Sequence, residues 1–318
     1  MELVRGAHNL KVRHRPSVAT IGNFDGIHRG HRSVIETLQA AGQRLGLPTT
    51  VVIFEPQPRE FFAPNNAPGR ITRLRDKLRV LASLGVDRTL CLRFDARLAA
   101  QSAEDFIQDL IVDGIGARFL MVGDDFRFGH RRRGDYGMLE EAARHQGFEL
   151  QRMPTISHEG ERVSSSRVRR SLAAGDMAMT EALLGRRLSI SGRVVRGQAL
   201  GRQLGWPTAN LRFGHQPPPM RGIFNVLVHG LADQPWPGVA SLGTRPTVNG
   251  VETLLETYLL DFSGDIYGRT ISVELLEWQR PETDFRGLDA LSEQIAADVA
   301  SARQWFQTQG YTIPDRAG

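Results

Sequence analysis

The chain has 318 residues, 41% hydrophobic and 24% charged, with one cysteine, Cys91; this is enough for two separately packed cores and excludes a disulfide scaffold or a Cys-based zinc site. Forty basic against 35 acidic side chains give a net charge of +5, which suggests a polyanionic partner. Lys11 and Lys77 are the only lysines, so arginine, suited to bidentate phosphate pairing, dominates the basic charge.

Residues 1–16 lack the apolar core of a signal peptide and no apolar run reaches membrane-spanning length, so the chain reads as soluble and cytoplasmic, with no membrane partner. In chain order, residues 17–24, 49–54, 88–94, 117–123 and 148–154 read as strands. Between them Val34, Ile35, Leu38, Ala41 and Leu45 recur at helical spacing, as do Leu74, Leu78, Leu81 and Leu84. A further helix starts at Ser102, whose hydroxyl caps it with Asp105 three residues on, and buries Phe106, Ile107, Leu110 and Ile111. Alternating strands and helices predict a parallel α/β sheet covered on both faces, with ligands at the C-terminal strand ends. Beyond Gly185 only short β-rich runs punctuated by Gly and Pro follow, predicting an antiparallel barrel or sandwich closed by a helix over about 288–307. The domains are therefore expected at 1–186 and 187–318. HQPPPM, residues 215–220, reads as a Pro-rich loop.

The segment GNFDGIHRGH carries Gly22, Asn23, Phe24, Asp25, Gly26, His28, Gly30 and His31 across the first strand-helix junction. Its glycines allow close backbone approach, and the helix N-terminus directs N–H groups at an anion. Two imidazoles there can stabilise charge developing on a transferring phosphate, although a glycine-rich turn with two exposed histidines fits the same pattern. In VSSSRVRR, hydroxyls at Ser164, Ser165 and Ser166 precede Arg167 and Arg169; this is a second phosphate-receiving arrangement or, alternatively, an N-capped basic helix.

Together GNFDGIHRGH, FEPQP (54–58), VGDDFRFG (122–129) and VSSSRVR resemble the adenylyltransferase module of the bacterial bifunctional riboflavin kinase/FAD synthetase family. The resemblance implies a nucleotidylyltransferase fold and AMP transfer from ATP to FMN. It implies that His28 and His31 steady the α-phosphate region and the Ser–Arg segment the outer phosphates. It also places Phe54, Pro56, Pro58, Asp125, Phe126 and Phe128 at the flavin and nucleotide pocket, although both Phe126 and Phe128 equally suit a core. The third hydroxyl, commonly Thr in the family, is Ser166.

In GRVVRGQALGRQLGWPTANL, glycines including Gly197, Gly201 and Gly205 permit a backbone flap over a polyphosphate, with Arg202 and Pro207 in the same segment. Thr208 and Asn210, one residue apart, share one face of an extended strand and offer neutral oxygens to Mg²⁺ and its phosphates. No P-loop motif occurs. Glu256 is the candidate base for an attacking hydroxyl, and Glu252 alternates onto the same face as a rival. This segment, with SLGTRPT (241–247), ETYLLDF (256–262) and DIYGRTISVELL (265–276), resembles the riboflavin kinase module of the same family. That resemblance implies riboflavin phosphorylation by MgATP; Tyr258 stands where the family commonly has His.

The expected substrates are ATP, riboflavin and FMN, with Mg²⁺ as cofactor; oligomeric state is unassigned. Two other readings remain open: a nucleic-acid-binding protein using the four arginines of residues 127–133, and a flavin-binding regulator with an inactive site. Low aromatic content and the lack of a nucleic-acid-binding signature weigh against the first, and the intact motifs against the second.

Overall fold

Each strand-like run of the first half forms part of one parallel sheet in the computed structural model, which describes residues 1–197, 200–213, 217–247 and 250–314, with backbone alone at 200, 203, 245–247, 250 and 251. The strands are β1 (Glu2–Arg5), β2 (Ser17–Ile21), β3 (Thr49–Glu55), β4 (Arg88–Arg93), β5 (Ala117–Val122) and β6 (Glu149–Arg152), in the order β1-β4-β3-β2-β5-β6. All five residues of β2 are buried, as a sheet covered on both faces requires. The order reverses between β2 and β5. Their C-terminal loops, residues 22–28 and 123–135, consequently flank the crevice where parallel α/β sheets bind ligands. The edge strand β1, too short to show a period, pairs with β4.

Helix α1 (Arg29–Leu45) buries Val34, Ile35, Leu38 and Ala41. A one-turn α2 (Pro58–Phe62) follows β3, and then α3 (Leu74–Ser83). Here the leucine period is only partly followed: Leu81 is buried, but so are Asp76 and Lys77, whereas Leu74 and Leu78 are half-buried. The two charged residues have partners inside; the Lys77 ammonium donates to the Asn23 carbonyl at 2.6 Å and the Asp76 carboxylate accepts from the Ser191 N–H at 3.1 Å. Ser102 caps the next helix through the Asp105 N–H at 2.9 Å, and this helix widens into a π-helix over Phe106–Val112. Its four expected core residues are buried. Helix α4 (Tyr136–Gln146) precedes β6.

Two compact units divide the chain: Met1–Pro68 with Lys77–Ser164, and Gly69–Asp76 with the chain from Ser165 onward. The second unit contains α5 (Ser165–Ala173) and α6 (Met177–Leu184), which pack on each other. Its strands are β7 (Leu188–Arg193), β8 (Thr208–Arg212), β9 (Gly222–His229), β10 (Trp236–Thr247), β11 (Gly250–Leu259) and β12 (Thr270–Arg280). They form an antiparallel sheet in the order β8-β11-β10-β9-β12-β7. A Val195–Asn210 bridge joins its ends into a barrel. The expected Pro-rich loop and glycine flap fall partly outside the described residues, at 214–216 and 198–199.

Helix α7 (Leu288–Thr308) lays Val299, Ala302 and Phe306 on Ile223, Leu227 and Val239 of the barrel; full burial of a side chain such as Phe306 is worth about 1.5–3 kcal/mol. The early segment 69–76 is also tied to this unit. Arg73 donates to the carbonyls of Arg212, at 3.0 Å, and Ser191, and lies 4.6 Å over the Phe213 ring. Burial draws its guanidinium below the usual pKa, against the opposing pull of Asp76 at 3.5 Å.

Candidate active sites

The chain leaves β2 through a tightly bent turn. Phe24, Gly26 and Ile27 have φ of 47°, 86° and 44°. A β-branched residue in this left-handed region is a genuine outlier, and each non-glycine there costs of order 1–3 kcal/mol. Burial holds the turn: Phe24, Asp25 and Ile27 are at most 2% exposed. It ends at His28, the N-cap of α1, whose Nδ1 accepts from the His31 N–H at 3.4 Å. The two imidazoles stack with centroids 3.8 Å apart and planes 19° apart, and His31 also lies 4.8 Å from Phe24. The histidines therefore form one stacked pair at the positive end of a 17-residue helix. Such a pair can donate hydrogen bonds to an oxyanion placed at that end.

Of the residues expected at the flavin pocket, Phe54 ends β3 and meets Phe94 edge-on at 5.8 Å. Pro56 follows a cis peptide bond and Pro58 starts α2. After β5, Asp125 is exposed, Phe126 half-buried and Phe128 buried against Phe106, with centroids 5.2 Å apart. An antiparallel bridge between Phe128 and Gly134 closes the intervening loop and leaves Arg127, Arg131, Arg132 and Arg133 exposed. The Ser–Arg segment divides between the units: Ser164 ends the first, and α5 begins at Ser165 in the second. Ser166 is exposed and Arg167 buried, while Arg169 donates to the Gly69 carbonyl at 2.8 Å.

The second unit holds a cavity of about 570 Å³ between the barrel face and α7. Thr208, Asn210, Ser241 and Glu256 line it, because register sets Asn210 opposite Glu256 on one side and Ser241 opposite Glu256 on the other. Asn210 is 4% exposed, and its Oδ1 has no hydrogen-bond partner among the described residues. Leaving a buried acceptor unmet costs about 1–3 kcal/mol, so this atom suits a cation or donor brought by a ligand. Gly197 lies against the Asn210 amide so closely that a Cβ would come within 2.8 Å of Nδ2. Nearby, Arg196 and Arg202 lie 5.4 and 5.8 Å from the Tyr267 ring. Glu252 does not line the cavity; Arg212 pairs with its carboxylate at 3.0 Å.

Several contributors escape the motifs. Trp206 and Tyr258 meet edge-on at 5.2 Å in the cavity wall. Arg280 forms a two-pronged ion pair with Asp298 of α7, at 2.7 and 2.6 Å. Glu282, Thr283, Asp284 and Phe285, between β12 and α7, complete the lining. Exposed Phe61 and Phe62 cluster with Phe94 beside Phe54. The consecutive aromatics of PREFF were a visible signal, whereas Glu282 gave none in its own segment.

No cluster of three His, Cys, Asp or Glu side chains could hold a metal among the described residues, so the barrel donors would act together with a ligand's oxygens. No described helix is long and apolar enough to cross a membrane. A family model described as FAD synthetase matches residues 10–167, and one described as riboflavin kinase matches 184–306. The chain is 50% identical over 315 residues to a bifunctional riboflavin kinase/FMN adenylyltransferase of Escherichia coli (strain K12), covering 99% of this chain and 100% of the relative. It is 49% identical over 304 residues to the enzyme of that description from Pseudomonas fluorescens, covering 95% and 97% of the two chains. A solved structure described as a macrolide-efflux protein from Streptococcus pneumoniae superimposes with a TM-score of 0.77 at 29% identity, covering 96% and 100%.

Proposed function

The chain belongs to the bifunctional riboflavin kinase/FMN adenylyltransferase family, and from that premise we infer that it phosphorylates riboflavin to FMN and adenylylates FMN to FAD. We place the functional division at 186/187, close to the start of the riboflavin kinase match at residue 184. The observation that best supports the kinase reading is the Asn210–Glu256 cross-strand pair facing the cavity, with the Asn210 acceptor unmet.

In the barrel, Glu256 takes the proton of the riboflavin 5′-hydroxyl as its oxygen attacks the γ-phosphorus of ATP and ADP leaves. A divalent metal is general to both families; Thr208 and Asn210 fit Mg²⁺, which would offset phosphate charge. In the 1–186 domain, an FMN phosphate oxygen attacks the α-phosphorus of ATP and pyrophosphate departs. His28, His31 and the head of α1 stabilise the developing charge. Ser164, Ser165, Ser166, Arg167 and Arg169 hold the outer phosphates, and Phe54, Pro56, Pro58, Asp125, Phe126 and Phe128 shape the flavin side. The step needs positioning and charge stabilisation rather than a protein nucleophile.

Riboflavin, ATP and Mg²⁺ incubated with the protein are expected to yield FMN and then FAD on chromatography; no new flavin rejects the reading. Excess EDTA is expected to stop both steps and added Mg²⁺ to restore them, whereas turnover in EDTA removes the metal from the scheme.

Gly243 tests the cavity wall. A Cβ there would collide with the Glu282 carboxylate, so Gly243→Ala is expected to turn that side chain out of its place in the cavity lining and raise the riboflavin KM by up to about tenfold, near 1.4 kcal/mol. FAD formation from FMN should be unchanged. A double variant with Glu282→Ala should be no worse than Glu282→Ala alone; additive losses place the effect elsewhere.

A further inference from the structure

Lys77 is 0% exposed, although the leucine stripe of α3 does not include its position. Burying an ammonium is costly unless partners are built around it, and an apolar side chain of similar volume often serves packing as well or better. One partner is a backbone group: Nζ donates to the carbonyl of Asn23 at 2.6 Å. Asn23 begins the turn in which Phe24, Gly26 and Ile27 are left-handed and which ends at the His28 cap of α1. The carbonyl lies one residue before the first left-handed φ. A charged donor fixed there opposes relaxation of the peptide planes that follow, and with them a shift of the stacked imidazoles.

We propose that Lys77 is a positioning residue for adenylyl transfer: its buried ammonium grips the Asn23 carbonyl and holds the strained turn that seats His28 and His31 at the head of α1. Lys77 acts through the turn. Its loss removes correct placement of the histidines in the transition state and leaves nucleotide affinity largely intact.

The test compares the full chain with Lys77→Met. The methionine variant is expected to form FAD from FMN with kcat at least 30-fold lower and an ATP KM within threefold of the parent. Phosphorylation of riboflavin should stay within twofold, and the imidazole ¹H–¹⁵N resonances of His28 and His31 should shift. Parental kcat, a loss with unmoved His28 and His31 resonances, or a loss expressed only in the ATP KM overturns the proposal. If methionine prevents folding, seen as loss of the kinase step too, Lys77→Gln takes its place: a fivefold or greater kcat loss with shifted resonances supports the role, and any other result overturns it. The inference rests on the adenylyl transfer read above. A parent chain that makes no FAD sinks that reading, whereas a parent that makes FAD and an equally fast variant sink only the role of Lys77.

Discussion

Glu256→Gln is expected to form FMN at least a hundredfold more slowly than the parent while converting supplied FMN to FAD at the parental rate. The amide keeps the shape of the carboxylate between Asn210 and Ser241 but cannot accept the hydroxyl proton as a base. A positioned general base contributes about 10²–10⁴-fold, which is about 2.7–5.4 kcal/mol of barrier. The loss should fall on kcat with little change in the riboflavin KM, because the missing interaction develops in the transition state. Initial rates of FMN formation measure it, and FAD formation from FMN controls for folding. A parental kinase rate would remove Glu256 from the role. Glu252 is the poorer substitute, since Arg212 holds its carboxylate outside the cavity lining.

His28→Ala is expected to cut FAD formation at least tenfold and to leave the kinase unaffected. Alanine removes an imidazole from the stacked pair and also the cap of α1, the latter worth about 0.5–2 kcal/mol. His28→Asn separates the two effects, because asparagine is a good N-cap without an imidazole. It should recover most of the melting temperature and none of the turnover. An asparagine variant with parental FAD formation would reduce His28 to a cap.

Much of the architecture was legible because it rests on periodicity and on side chains that act locally. The Ser102 cap and the four apolar residues behind it follow from spacing alone, as does the shared face of Thr208 and Asn210, since strand side chains alternate strictly. The Asn210–Glu256 pairing was not legible: register between β8 and β11 depends on strands about 45 residues apart. Lys77 was hidden for a related reason. Hydropathy assigns a lysine to solvent, and only the backbone of a turn 54 positions earlier makes its burial tolerable. The widening of the Ser102 helix into a π-helix also leaves no mark, because the buried positions at 106, 107, 110 and 111 suit either winding.

The segment 69–76 has a consequence for the order in which the protein can be finished during synthesis. Arg73 and Asp76 emerge before Ser191, Arg212 and Phe213, their partners in the second unit. At roughly 5–20 residues per second, Arg73 waits about 6–24 s for Ser191 to be added. The first unit can gather its last strand, β6, during that interval while residues 69–76 remain uncommitted within it. The barrel thus borrows an early piece of chain, and a nascent polypeptide released before Ser191 would carry that piece without its destination.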